Sequence, residues 1–191
     1  MKLLFDFLTL EVCDMRSKLA TLLFVSLGTP CAFAANASFM GNEVGVTKCE
    51  SAVKSLSDKA RLEDNGISYY TEGKMYKGNA SGLGLEGAQT ITLICDKSNT
   101  LVVVQVIINK DYFQSYQKML KAKYKQNKLI NPYVGNRYAK YTQGNSTVTL
   151  NAPHLSFEMT LGYATNDFLK LMDSVDKKEK QSKDKYQQNA L

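Results

Sequence analysis

The stretch "TITLICDKSNTLVVVQVII", residues 90 to 108, sets two runs of β-branched and aliphatic residues on either side of Asp96-Lys97-Ser98-Asn99. Four turn-forming residues between two such runs predict a hairpin of strands 89–95 and 101–109. The second run is apolar on both faces, with only Gln105 interrupting it between Leu101 and Ile108. A strand of that kind belongs inside a sheet that is covered on each side. Residues 111–126 supply a cover, as a helix with Tyr112, Phe113, Tyr116, Met119, Leu120 and Tyr124 along one stripe. Lys118, Lys121, Lys125 and Lys128 fall on another face of the same predicted helix, at spacings of three and four.

Upstream, Thr47-Lys48-Cys49-Glu50 has the form of a capping box, in which the Thr hydroxyl and the Glu carboxylate each take an unpaired amide. Cys49, Ala52, Val53, Leu56 and Ala60 then recur at helical spacing, so a first helix ends near Arg61. After Asn65-Gly66 a tyrosine-rich strand covers 67–76, with a break at Gly73. "GNASGLGLEG", 78–87, is too rich in glycine for regular structure and reads as a flexible hairpin or crossover loop. Downstream of Asn131-Pro132 come strands 137–142, 147–150 and 155–163. Thr165 or Asn166 caps a last helix with Phe168, Leu171, Met172 and Val175 as its apolar stripe. The remainder, "KKEKQSKDKYQQNAL" at 177–191, is a frayed helix end or a charged flexible tail, because it has almost no apolar surface to offset ordering entropy.

The front of the chain has a different character. An apolar run from Leu19 to Leu27 follows Arg16 and Lys18 and precedes Gly28, Pro30 and Ala32-Phe33-Ala34. Charge, apolar segment, breaker and small-x-small is the order of a secretory signal. The run has about nine residues, whereas a membrane-spanning helix needs about 20. Residues 1–34 are therefore expected to be a signal peptide cleaved near Ala34, with Met15 as an alternative start. Pro30 stands immediately before Cys31, where a lipoprotein signal has a small residue, so lipid anchoring is not expected.

Cleavage removes Cys13 and Cys31 and leaves Cys49 and Cys95. An even pair in an oxidising compartment reads as a disulfide. The remaining residues 35–191 suffice for one core, placing a single α+β domain at 35–176. Lys2, Arg16 and Lys18 balance Asp6, Glu11 and Asp14, so the whole net charge of +6 stays on the exported part. Moderate basicity favours acidic protein faces or anionic head groups, and export leaves no nucleic acid to meet.

The halves 43–109 and 110–163 read as related. "KMYKGNAS" at 74–81 lies over "KYTQGNST" at 140–147, and the hairpin at 90–108 over "STVTLNAPHLSFEMTLGY" at 146–163. Duplication and chance likeness between amphipathic strands both explain such a match. The fold class expected is α+β: a tandem helix-β-β-β repeat forming an antiparallel sheet packed by helices, with a C-terminal helix. In element order this resembles two families of exported proteins. They are the β-lactamase-inhibitory proteins, made of tandem helix-plus-sheet repeats, and the small outer-membrane assembly factor BamE, made of one such unit. The resemblance spans most of residues 43–175 and implies a protein-binding module. BamE-like proteins usually carry a lipid-modified cysteine, which Pro30 before Cys31 argues against here.

Catalytic patterns are sparse. The one histidine, His154, sits in a turn at 152–154 without a nucleophile nearby in sequence. Asp96, Asp111, Glu86 and Glu158 form no local pair that would separate their pKa values into acid and base. Gly82-Leu83-Gly84 lacks the lysine ending of a phosphate loop, and Cys49 and Cys95 lack the spacing of a metal or redox pair. No enzyme activity, metal or cofactor is expected.

The function expected is a periplasmic or secreted binding protein, with a protein partner in the envelope that it inhibits or helps assemble and that docks on the exposed sheet face or on the glycine loop. Tyr69, Tyr70 and Tyr76 are the candidate anchors, since neighbours on a strand face opposite sides and one of Tyr69 and Tyr70 then points outward; the alternative is that these tyrosines cover the back of the sheet. A second candidate is an anionic membrane or lipopolysaccharide surface met by Lys118, Lys121, Lys125 and Lys128. A lipid-carrying cavity and an uncharacterised hydrolase are more remote. Without tryptophan, oligosaccharide binding has little to lean on.

Overall fold

Asp96 closes the central hairpin: its Oδ1 accepts from the Ser98 amide at 2.9 Å and the Thr100 amide at 2.8 Å. Asn99 takes the left-handed conformation that the turn needs, at φ 58°. In the computed structural model, which describes residues 34–189, the flanking strands are β5 (Ala88–Asp96) and β6 (Leu101–Asn109). The expected leader up to Phe33, with Met15 and Cys31, lies outside the described residues.

Around this hairpin the chain runs through β1 (Ser38–Phe39), β2 (Asn42–Glu43), α1 (Cys49–Ala60), β3 (Glu63–Ile67) and β4 (Glu72–Asn79). After β5 and β6 come α2 (Phe113–Lys123), β7 (Lys125–Ile130), β8 (Arg137–Gln143), β9 (Ser146–Ala152), β10 (Glu158–Thr165) and α3 (Asn166–Asn189). The class is α+β, as the sequence implies. Eight strands form one antiparallel sheet in the order β3-β4-β5-β6-β10-β9-β8-β7. That order is palindromic: two four-stranded meanders meet at their last strands, where Val104 pairs with Tyr163 and Val106 with Leu161.

Strand alternation sorts the core. Ile91, Leu93 and Cys95 of β5, Val104, Val106 and Ile108 of β6, Met159, Leu161 and Tyr163 of β10, and Val148, Leu150 and Ala152 of β9 share one buried cluster. The same cluster takes Ala52, Leu56 and Ala60 from α1 and Phe113, Tyr116 and Leu120 from α2. α1 packs on β4 and β5, and α2 in the equivalent place on β8 and β9. The β1–β2 hairpin adds Phe39, whose ring meets Tyr163 edge-on at 5.6 Å. Cys49, the first residue of α1, is disulfide-bonded to Cys95 near the end of β5, with 6.0 Å between their Cα atoms.

Several expectations need correction. No capping box forms: Lys48 is the N-cap without a side-chain bond, and the Thr47 hydroxyl accepts from the Glu43 amide at 2.9 Å. The helix start is satisfied by backbone instead, the Cys49 amide donating to the Asn99 carbonyl at 2.8 Å. Each half has four strands, not three. Residues 67–76 are not one strand; Ser68–Thr71 is a buried-hydroxyl turn between β3 and β4. Asn65-Gly66, a turn signal in sequence, lies inside β3, where Gly66 has φ 82° and the register with β4 shifts. The 78–87 segment is an ordered connection whose Ala80 and Leu83 are buried.

The second helix stops at Lys123, because Tyr124 turns extended, at φ −128° and ψ 154°. The buried Tyr124 ring stacks edge-on with Tyr163 at 6.1 Å, and the chain leaves as β7. Met119, assigned to the apolar stripe, is exposed. The last strand starts at Glu158, which leaves Leu155 and Phe157 in the preceding turn. α3 continues past Asp176 to Asn189, with Lys177 to Gln188 all exposed.

Candidate functional site

The face of the sheet opposite α1 and α2 is left without a helix over most of its strands among the described residues. Cross-strand pairing carries one row of residues over it: Lys77, Thr92, Gln105, Gly162, Thr149, Lys140 and Lys128. At the middle of that row Gly162 leaves the β10 backbone bare between Gln105 and Thr149. A Cβ there would stand 3.0 Å from Thr149 Oγ1, so the spot is tight as well as flat. The neighbouring row of Thr90, Ile107 and Thr160 is half-buried, while Thr147 is buried at the α3 end, its hydroxyl donating to Asn166 Oδ1 at 2.8 Å. Cations dominate the margins, with Lys77 on one side and Lys125, Lys128 and Lys140 on the other, against Glu63 and Glu158.

One end of this face is closed by α3. Val102, Val103, Ala164 and Phe168 form a second buried cluster, joined by Ile94, Tyr70, Leu169 and Met172. The cleft along this seam, about 320 Å³, is lined by Thr71, Asp96, Val102, Phe168 and Leu171 among others.

Tyr69 and Tyr70 stand in the Ser68–Thr71 turn, so strand alternation does not separate them. Their rings meet edge-on at 5.5 Å, and Tyr70 meets Phe168 at 6.1 Å. The Tyr69 hydroxyl donates to Glu179 Oε1 at 2.8 Å and the Tyr70 hydroxyl to Asp176 Oδ1 at 3.0 Å. Those carboxylate acceptors favour the protonated phenol, and both tyrosines are raised above the ordinary tyrosine value chiefly for that reason. The turn itself is fixed by Thr71, whose hydroxyl donates to the Cys95 carbonyl at 2.6 Å and accepts from the Gly73 amide at 3.2 Å. Tyr76 goes elsewhere: it is half-buried against the helix-side core, opposite Leu93. The three candidate anchors thus divide into a pair that clasps α3 and one core residue.

The lysine stripe also divides. Lys118 and Lys121 are exposed on α2, while Lys125 and Lys128 lie on β7, opposite Thr142 and Lys140 on the open face. The four do not share a surface, because the helix that would align them ends before Lys125.

The interior tyrosines are structural. Tyr116 donates to the Glu86 carbonyl at 2.9 Å, Tyr124 to the Ser38 carbonyl at 3.1 Å and Tyr141 to the Gln117 carbonyl at 3.2 Å. Burial pushes Tyr116 up to about 12 and also raises Tyr163 above the ordinary tyrosine value. Among the described residues no three His, Cys, Asp or Glu side chains gather as metal ligands, and no helix is long and apolar enough to cross a membrane. His154 is exposed, and its backbone amide donates to Asn136 Oδ1 at 2.7 Å.

The sequence reading missed one cluster, Tyr133 and Val134 in the β7–β8 turn with Leu155 and Phe157 in the β9–β10 turn, all exposed. The available signal was apolar residues directly after Asn131-Pro132 and Pro153, positions where turns are ordinarily polar. Compared with known proteins, the chain matches no family model, no curated protein and no solved structure.

Proposed function

We propose that this chain is an exported, non-catalytic module that binds a protein partner across the open face of its eight-stranded sheet. The carrying observation is the row from Lys77 to Lys128, a broad face uncovered among the described residues, with bare backbone at Gly162 and lysines at both margins. Free amphipathic sheet faces of this breadth bury well against a second protein surface, and the surplus of lysine fits an acidic one. Support for export comes from the signal-like front segment and from the disulfide between Cys49 and Cys95. The resemblance in element order to exported helix-plus-sheet modules points the same way. The anionic-surface alternative loses its helical lysine face, since Lys118 and Lys121 are separated from Lys125 and Lys128.

Native purification from the source envelope tests this reading. A protein that co-purifies in fixed ratio should be lost on Gln105→Arg with Thr149→Arg, which project from the open face, and retained on Ser51→Arg, which projects from the exposed side of α1. Equal retention by both variants would refute it.

A further inference from the structure

The two turns at the far end of the second meander are bound to each other. β8 and β9 bring them side by side through the Arg137 and Ala152 pair, and Asn136 Oδ1 accepts the His154 amide at 2.7 Å. Lys110 locks the second turn from beneath: its ammonium donates to the Pro153 carbonyl at 2.9 Å and the His154 carbonyl at 2.8 Å, and its amide donates to the Phe157 carbonyl at 2.9 Å. From this braced base four apolar side chains project. Tyr133 is fully exposed, Leu155 is 94% exposed, Phe157 92% and Val134 66%. In the first meander α3 runs beside the corresponding turn at 68–71, where the half-buried Tyr70 ring meets Phe168. No such cover exists here among the described residues.

Beside the apolar tips, with Tyr133 on its rim, lies a cleft of about 530 Å³ lined by Lys110, Gln114, Asn131, Arg137 and His154. No carboxylate lines it. Arg137 is held in place by its stack on Phe113, 4.8 Å from the ring centroid, and by a 3.2 Å bond to the Lys110 carbonyl. Apolar groups outermost and fixed cations one layer behind match the order of a bilayer interface, acyl chains first and phosphate head groups next. A protein partner would need a shaped recess for protruding side chains; a fluid lipid layer accommodates them without one.

We infer that this end of the molecule is a lipid-interface anchor, in which Tyr133, Val134, Leu155 and Phe157 enter an anionic bilayer while Lys110 and Arg137 meet its phosphates. The site is distinct from the open sheet face and from the lysines of α2.

The chain has no tryptophan, so Phe157→Trp creates a single reporter at the tip. With vesicles of phosphatidylglycerol and phosphatidylcholine, its emission should shift to shorter wavelength, less so at high salt. In that background Tyr133→Ser with Leu155→Ser should weaken partitioning by about tenfold or more, with circular dichroism and the disulfide unchanged. Lys118→Glu with Lys121→Glu should leave it unaltered. An absent shift on anionic vesicles, or partitioning indifferent to the tip substitutions, would overturn the inference. So would loss of binding in the Lys118, Lys121 variant, or a vesicle-free shift that grows with protein concentration, which would assign the tip to self-association.

Discussion

At Gly78 near the end of β4 and Gly82 in the connection to β5 the chain closes onto the last turn of α1, and a Cβ would run into the Ala60 carbonyl at the first position and the Lys59 carbonyl at the second. Gly78→Val should therefore destabilise the fold by about 1 to 3 kcal/mol through overpacking, read as a lower urea midpoint at unchanged slope. Tyr116 gives a pH test. Its phenol is pushed from 10.0 up to about 12, mainly by burial, so the folded protein holds a proton that the unfolded chain releases. That stabilisation is fully present below pH 10 and is lost as pH rises from 10 towards 12. Alkaline unfolding should accordingly be less steep in Tyr116→Phe than in the wild type. A Tyr116 phenolate appearing near pH 10 with the fold intact would contradict this.

Among the elements, α3 depends on few contacts, so it should detach alone. Phe168 is the centre of the small cluster under it, and Tyr69 and Tyr70 hold it at Glu179 and Asp176. Phe168→Ala should remove about 3 kcal/mol of local stability. Amides of α3 should then exchange fast while those of β5, β6 and β10 stay protected, which hydrogen exchange resolves element by element. The elements legible in sequence were those whose own composition settles them. β5 and β6 are β-branched runs around an Asp96 turn, and the apolar spacing of α1 is helical. β3 and β7, reading EDNGI and KQNKLI, carry no strand signal of their own; pairing with β4 and β8 makes them strands. Both are exposed, charged and bulged, which blunts the two edges of the sheet against further pairing. The strand placement of the tyrosines failed for a related reason: alternation applies only within a strand, and Tyr69, which is exposed, and Tyr70 fall in a turn whose buried Ser68 and Thr71 hydroxyls resemble ordinary loop residues in sequence.

Over the whole molecule, the palindromic sheet places α1 and α2 on one face and leaves the other open except under α3. The general plan of helices on an antiparallel sheet with an exposed face was legible; which residues line that face was not, since it depends on where helices cross rather than on any single run. The Cys49–Cys95 bridge closes a loop of 46 residues and fastens α1 to the first meander. Cys95→Ser with Cys49→Ser should cost about 4 kcal/mol, measured by denaturant unfolding under oxidising conditions. The open face itself is tested most directly by placing a photoreactive residue in turn at Gln105, Thr149, Lys140 and, as a control on the helix side, Ser51, then irradiating intact source cells. The account predicts one discrete protein adduct from the three sheet positions and none from Ser51; adducts absent from the sheet positions, or equally abundant at Ser51, would contradict it.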